Sequence, residues 1–351
     1  MTLIAIASGS SPRVQVYPWS AGFGAKYSDP ATLPTGTGND VAFAPDLSAV
    51  AVVHATTPFV SAYPWSAGFG SKASDPSTLP AGTGRAVAFS ADGGSLAVAH
   101  DNSPYVSIYP WSGAGFGAKS ANPGTLPTGN CYGVSFAPAS NAVACAHDNS
   151  PYVSAYPWSI AGFGSKFANP GTLPAGYCYG VSFNAAGTVV AMTQRSSSQP
   201  VAAYPWSAGF GSKYANPGTP PAYYSYGVAF NRANGAIAVA HHYTPYVSVY
   251  PWSSGFGSKY SNPATPPAIK GRAVAFSYAG DAIAVAHDNS PRVSAYPWSA
   301  GFGSKVANPS TLPAGYGFGA AFGDAVGGDQ PVAINALTNL YHSSSLYLDE
   351  D

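Results

Sequence analysis

Five histidines recur at regular intervals, His54, His100, His147, His241 and His287, with Ser8 and Thr193 at the two remaining equivalent positions. Imidazole is a common metal ligand, so such a series first suggests a metal centre. One ion needs its ligand atoms within about 2.1 Å, however, and equivalent positions in a ring of repeats lie far apart. Replacement by Ser and Thr fits a hydroxyl or imidazole hydrogen bond that organises a turn. The Gly-Phe-Gly-Ser-Lys stretch resembles a phosphate loop but lacks the GxxxxGK[ST] spacing and recurs seven times, at Lys26, Lys72, Lys119, Lys166, Lys213, Lys259 and Lys305. A repeated turn is the better reading, with the lysines forming an outer belt that blunts exposed sheet edges. Acid–base chemistry has little to draw on: the sole glutamate is Glu350, and Ser, His and Asp come together only in tight turns such as His100-Asp101-Asn102-Ser103. Cys131, Cys145 and Cys178 form no CxxC pair and read as buried thiols. No catalytic residue, metal or cofactor is expected.

The elements that position these residues follow from the tryptophans. Trp19, Trp65, Trp111, Trp158, Trp206, Trp252 and Trp298 each stand in Tyr-Pro-Trp-Ser, with gaps of 46, 46, 47, 48, 46 and 46 residues. Within one unit, Ala86 to Ser90, Leu96 to His100 and Tyr105 to Trp111 have strand character, separated by the Asp92-Gly93-Gly94 and Asn102-Ser103-Pro104 turns. A weaker fourth strand is expected around Phe116 to Ser120. A sheet this small cannot bury both faces alone, so copies must stack. At this repeat length the stacking solution is an all-β, seven-bladed β-propeller with four antiparallel strands per blade. Alanines beside Val87, Phe89, Leu96 and Val98 let blades converge toward the axis, and Trp and Tyr fill the outer wedge. The chain enters at a second strand, Ile4 aligning with Leu96, so Gly319 to Phe322 must supply the missing innermost strand and both termini close the ring. Residues 1–323 form the propeller and 324–351 a C-terminal extension, read either as extra edge strands or as an arm docking on a neighbour.

The segment Val87 to His100, followed by Val106 to Trp111, resembles a WD40-type repeat, with Tyr-Pro-Trp standing where that family ends in aromatic-Trp-Asp. Every copy has Ser after Trp, and the opening Gly-His pair is missing, so that family's Asp-His-Ser-Trp network does not carry over. The near-identical Ser-Pro-Tyr-Val-Ser-Ala-Tyr-Pro-Trp-Ser-Ala-Gly-Phe-Gly-Ser-Lys wording is similar to WD40-like repeats encoded by tailed bacteriophages and prophages.

Where the repeat varies, surfaces are free to specialise. Just before the innermost strands stand Asn39, Arg85, Tyr132, Tyr179, Tyr226, Arg272 and Phe318, expected to surround one mouth of the central channel, with Tyr177, Tyr223, Tyr224 and Tyr316 on the same rim. Of these, Arg85, Tyr132, Tyr179, Tyr226, Arg272 and Phe318 are the candidate binding residues. Their rings either plug the channel or form a platform that stacks and hydrogen-bonds.

Fourteen basic residues balance 14 acidic ones, and charged residues make up 8% of the chain. This balance argues against a nucleic-acid partner, and no apolar run is long enough for membrane insertion. The expectation is a non-enzymatic interaction module. The phage resemblance implies a virion component (capsid decoration, tail or host contact), made without a signal peptide and partnered by other virion proteins or by itself. The alternative is a lectin-like propeller binding host-surface glycan through the aromatic rim. A propeller hydrolase would need carboxylates in the channel.

Overall fold

The computed structural model describes residues 1–113 and 115–324. Their regular elements are all strands, arranged in seven antiparallel sheets. Blade 1 runs from Gly38 to Pro64, blade 2 from Gly84 to Phe116, blade 3 from Cys131 to Phe163, blade 4 from Cys178 to Pro205, blade 5 from Ser225 to Pro251 and blade 6 from Gly271 to Pro297. Blade 7 is composite: Gly317–Asp324 is its innermost strand, hydrogen-bonded to Thr2–Ser8, which pairs in turn with Val14–Trp19. Ile4 lies opposite Phe322 and Ala5 opposite Ala321, so both ends of the described chain close the ring in the expected register. Each innermost strand touches those of its two neighbours, giving an unbroken circle around the axis. The C-terminal extension beyond Asp324 lies outside the described residues.

The second strands are buried along their whole length, for example Ala49–His54 and Ala142–His147. Apolar residues on both faces of these strands pack between blades. Ala49, Ala51 and Val53 of blade 1 share a core with Leu96, Val98, Tyr109 and Trp111 of blade 2. The expected fourth strand is shorter than its sequence suggests, being two residues in blades 2 and 3, Gly115–Phe116 and Gly162–Phe163. In the other five blades it is a single bridge from Trp to the Phe four residues on. The indole meets that Phe edge-on, at centroid distances of 5.0–5.2 Å in all seven copies, a preferred aromatic geometry.

The Tyr of each Tyr-Pro-Trp is fully buried, and its hydroxyl donates to a Thr carbonyl in the incoming loop at 2.8–3.0 Å. One phenol per blade therefore ties down the connection from the preceding blade. The five repeated histidines are fully buried too, each Nε2 lying 3.0–3.1 Å from Oγ of a Ser in the third strand, Ser61, Ser107, Ser154, Ser248 or Ser294. Burial lowers the pKa of all five, to about 4 for His54, His147, His241 and His287.

The expected lysine belt needs correction. Each of the seven lysines folds back onto the residue three positions ahead, Asp29, Asp75, Asn122, Asn169, Asn216, Asn262 or Asn308. The side chains of Lys26 and Lys72 keep only 15% and 14% of their exposure, and desolvation lowers the pKa of the other five. These ammonium groups close their own loops, beside a backbone whose next residue still donates to the third strand, as the Tyr27 N–H does to the Val16 carbonyl.

Candidate functional site

The variable residues converge because of a backbone irregularity repeated in every blade. In blade 2 Gly84 lies opposite His100 and Ala86 opposite Ala99, so Arg85 has no partner on the second strand. The same shift occurs around Asn39, Tyr132, Tyr179, Tyr226, Arg272 and Phe318. Each is the extra residue of a β-bulge, a device that re-aims a side chain at a strand end. In the four blades where a glycine precedes the bulge, it lets the neighbouring blade's turn come close: a Cβ on Gly84 would stand 2.4 Å from the Phe59 carbonyl, and one on Gly271 2.3 Å from that of Tyr246. The turns carrying Phe59 and Tyr246 thus lie at this end of the ring.

All six candidate binding residues line one mouth, together with Asn39, and its rings form a near-continuous chain. Arg85 lies over Tyr132 at 5.5 Å, Tyr132 meets Tyr179 at 5.4 Å and Tyr179 meets Tyr226 at 5.3 Å. Arg272 stands between Tyr226 and Phe318, at 5.3 and 5.5 Å. These side chains line a cavity of about 200 Å³ and a second of about 390 Å³.

Behind Arg85, Tyr226 and Arg272 stands a residue 16 positions later. Arg85 holds Asp101 through Nε and Nη2, at 3.0 and 2.6 Å, and Arg272 holds Asp288 in the same way at 2.7 and 2.9 Å. Such bidentate pairs fix a guanidinium plane and leave both Nη1 groups without a hydrogen-bond partner among the described residues. Tyr226 Oη lies 3.0 Å from His242 Nδ1. Desolvation, with Lys270 and Arg272 nearby, lowers the His242 pKa, so the neutral ring accepts the phenol hydrogen. Desolvation also raises the pKa of Tyr132, Tyr179 and Tyr226.

The extra rim aromatics gather on one sector. Tyr223 stacks on Tyr224 at 3.9 Å, and Arg195 lies over Tyr224 and Tyr177 at 5.3 and 5.8 Å. Tyr316 is set apart, edge-on to Phe318 at 6.1 Å.

One residue here was not singled out from the sequence. The positions after the seven bulge residues are Asp40, Ala86, Gly133, Gly180, Gly227, Ala273 and Gly319, so only blade 1 has a polar side chain there. Asp40 lines the cavity floor, and its Oδ2 accepts the Val87 N–H of blade 2 at 3.1 Å. Burial, partly offset by bonds from the Val87 and Val41 backbone, raises its pKa to about 7. A buried carboxyl with its pKa raised to about 7, in a cavity that Arg85 and Arg272 also line, is an arrangement that suits a general base. The signal available in the sequence was an acid at a Gly/Ala position.

No protein-family model matches the chain, and no curated protein matches it in sequence. Solved structures do match. A Bacteroides fragilis protein assigned provisionally as a 6-phosphogluconolactonase superposes with a TM-score of 0.72 at 12% identity, covering 92% of this chain and 98% of the other. A Bacteroides uniformis protein with the same provisional assignment gives 0.71 at 12% identity, over 92% and 99% of the two chains. The periplasmic gluconolactonase of Pseudomonas aeruginosa gives 0.66 at 16% identity, over 93% and 100%. The propeller part of the sequence resemblance stands, but these matches are named as lactonases rather than as WD40 or phage proteins. They overturn the expectation of a non-enzymatic virion component or lectin-like module, because propellers matching nearly the whole chain carry the names of enzymes.

Proposed function

We propose that the chain is a hydrolase whose channel mouth binds a small hydroxylated lactone and opens its ring. The observation that carries this reading is Asp40, the only carboxyl among the described residues lining the cavity, its pKa raised by burial to about 7, at a mouth that also holds Arg85, Arg272 and three tyrosines. In the proposed step, ionised Asp40 takes a proton from water as the water oxygen bonds to the lactone carbonyl carbon. The bond from that carbon to the ring oxygen then breaks, the proton passes from Asp40 to the departing alkoxide, and a hydroxy acid leaves. The Nη1 groups of Arg85 and Arg272 and the hydroxyls of Tyr132 and Tyr179 supply donors for the oxyanion, and the rings offer faces for the substrate to stack on. The names of the structural neighbours support the choice of lactones as substrates.

The test follows acid release from δ-gluconolactone and 6-phosphogluconolactone with a pH indicator, between pH 5.5 and 8.5. Turnover should exceed the uncatalysed rate and rise with pH through about 7, as the base ionises. Asp40→Asn should lower it by about 10²-fold or more. No acceleration with either lactone, or full activity in the folded Asp40→Asn variant, would refute the assignment.

A further inference from the structure

In an antiparallel pair, alternate residues turn their N–H groups toward the partner strand and the rest turn them away. Each innermost strand has a ladder partner on one side only, so its outward N–H groups open on the channel. Val87 identifies which ones these are: it lies opposite Val98, yet its N–H goes to Asp40 of the preceding blade. Val134, Val181, Val228, Val274 and Ala320 occupy the same register position, opposite Cys145, Met192, Val239, Val285 and Ile6. All five line the cavity.

In blades 1, 3, 5 and 7 the residue after the bulge faces the corresponding N–H of the next blade. Asp40 does so with its carboxylate, and a Cβ on Gly133 or Gly227 would stand 3.1 Å from the nitrogen of Val181 or Val274. Asp40 therefore shows that a carboxyl oxygen can reach these groups: it meets the N–H groups of Val87 and Val41, although burial disfavours its charged form. On the rest of the ring the equivalent residues are Gly or Ala and bring no acceptor of their own. Of the carboxylates behind the bulges, Asp101 and Asp288 are each held by an arginine, while Asp148 lies beside Tyr132 with its Oδ1 buried and without a hydrogen-bond partner among the described residues.

We propose that the channel beneath the mouth is an anion site, in which the backbone N–H groups of Val134, Val181, Val228, Val274 and Ala320 take a small oxyanion or carboxylate. Converging backbone N–H groups form anion-binding concavities elsewhere in proteins, and Arg85 and Arg272 above add positive charge. The site does not depend on the lactonase reading, since it requires binding and no turnover.

The test is calorimetric titration of the full chain with inorganic phosphate and with formate at constant ionic strength. Saturable binding of at least one is expected. Ala273→Asp places a second carboxylate against the Ala320 N–H and should weaken binding about tenfold or more. Asp40→Asn removes the resident charge and should tighten it. Displacement of phosphate by gluconate would assign the site to a hydroxy-acid product, and phosphate or formate binding without displacement would assign it to a free anion; either outcome supports the proposal. Absence of saturable binding of both anions, or wild-type affinity in an Ala273→Asp protein with a native near-UV spectrum, would overturn it.

Discussion

Replacing Asp40 by Asn keeps a carbonyl oxygen for the Val87 N–H and removes only the titrating proton and its charge. In the folded protein the carboxyl ionises at about 7 instead of the ordinary 3.8. The native state thus holds the proton more tightly than the unfolded chain, so ionisation opposes folding. The penalty is absent below pH 3.8, grows as pH rises and is complete above about 7. Each decade of proton affinity corresponds to about 1.4 kcal/mol, which sets a ceiling of about 4 kcal/mol; contact with channel water brings the expected effect nearer to about 2 kcal/mol. Thermal melts of both proteins, followed by tryptophan fluorescence from pH 3.5 to 8.5, should coincide at the acid end and separate progressively, with the variant melting about 4 °C higher above pH 7. A separation that is constant with pH, or largest in acid, would show that Asp40 is not buried at a cost. The same substitution is expected to abolish turnover, so stability and activity should move in opposite directions, as they do where an active site retains an unfavourable charge.

The buried histidines act in the other direction. His54, His147, His241 and His287 have pKa values lowered from 6.5 to about 4, so the stability they contribute is present above pH 6.5 and is lost as pH falls toward 4. His147→Gln should remove about 3 kcal/mol of that acid sensitivity while costing about 1 kcal/mol at pH 8 through the lost bond to Ser154, as urea denaturation at several pH values would show. Tyr156→Phe removes only the hydroxyl that donates to the Thr125 carbonyl at 2.9 Å. It should cost about 1 kcal/mol in the same denaturation assay, and a loss within error of zero would mean that the phenol does not hold the incoming loop.

The architecture was legible because its largest side chains keep strict time. Seven Tyr-Pro-Trp-Ser copies mark the third strand of each blade, and alternation around Tyr105 to Trp111 gives its period of two. The mouth was legible as a set of variable positions, since only residues free of the repeated packing could differ. The bulge that turns those residues toward the channel was not legible, because it arises from hydrogen-bond register and leaves no mark on side-chain type. Their partners 16 residues on, Asp101, His242 and Asp288, were hidden for the same reason: the pairing crosses between strands. Asp40 was overlooked because a lone aspartate reads as a loop residue until six Gly and Ala equivalents are aligned with it. The lysines misled because a charge at a presumed strand edge reads as solvent-facing, whereas each ends its own loop on an Asp or Asn.

Closure of blade 7 also dictates an order of events during synthesis. Thr2–Ser8 emerges first, but its innermost partner, Gly317–Asp324, is made some 300 residues later. Until then Thr2–Ser8 presents an open backbone edge rich in Leu3, Ile4 and Ile6, the kind of edge that recruits a strand from another molecule. Chains halted before Gly317 therefore lack the strand that completes the ring, and incomplete products should be sticky while the finished one is not.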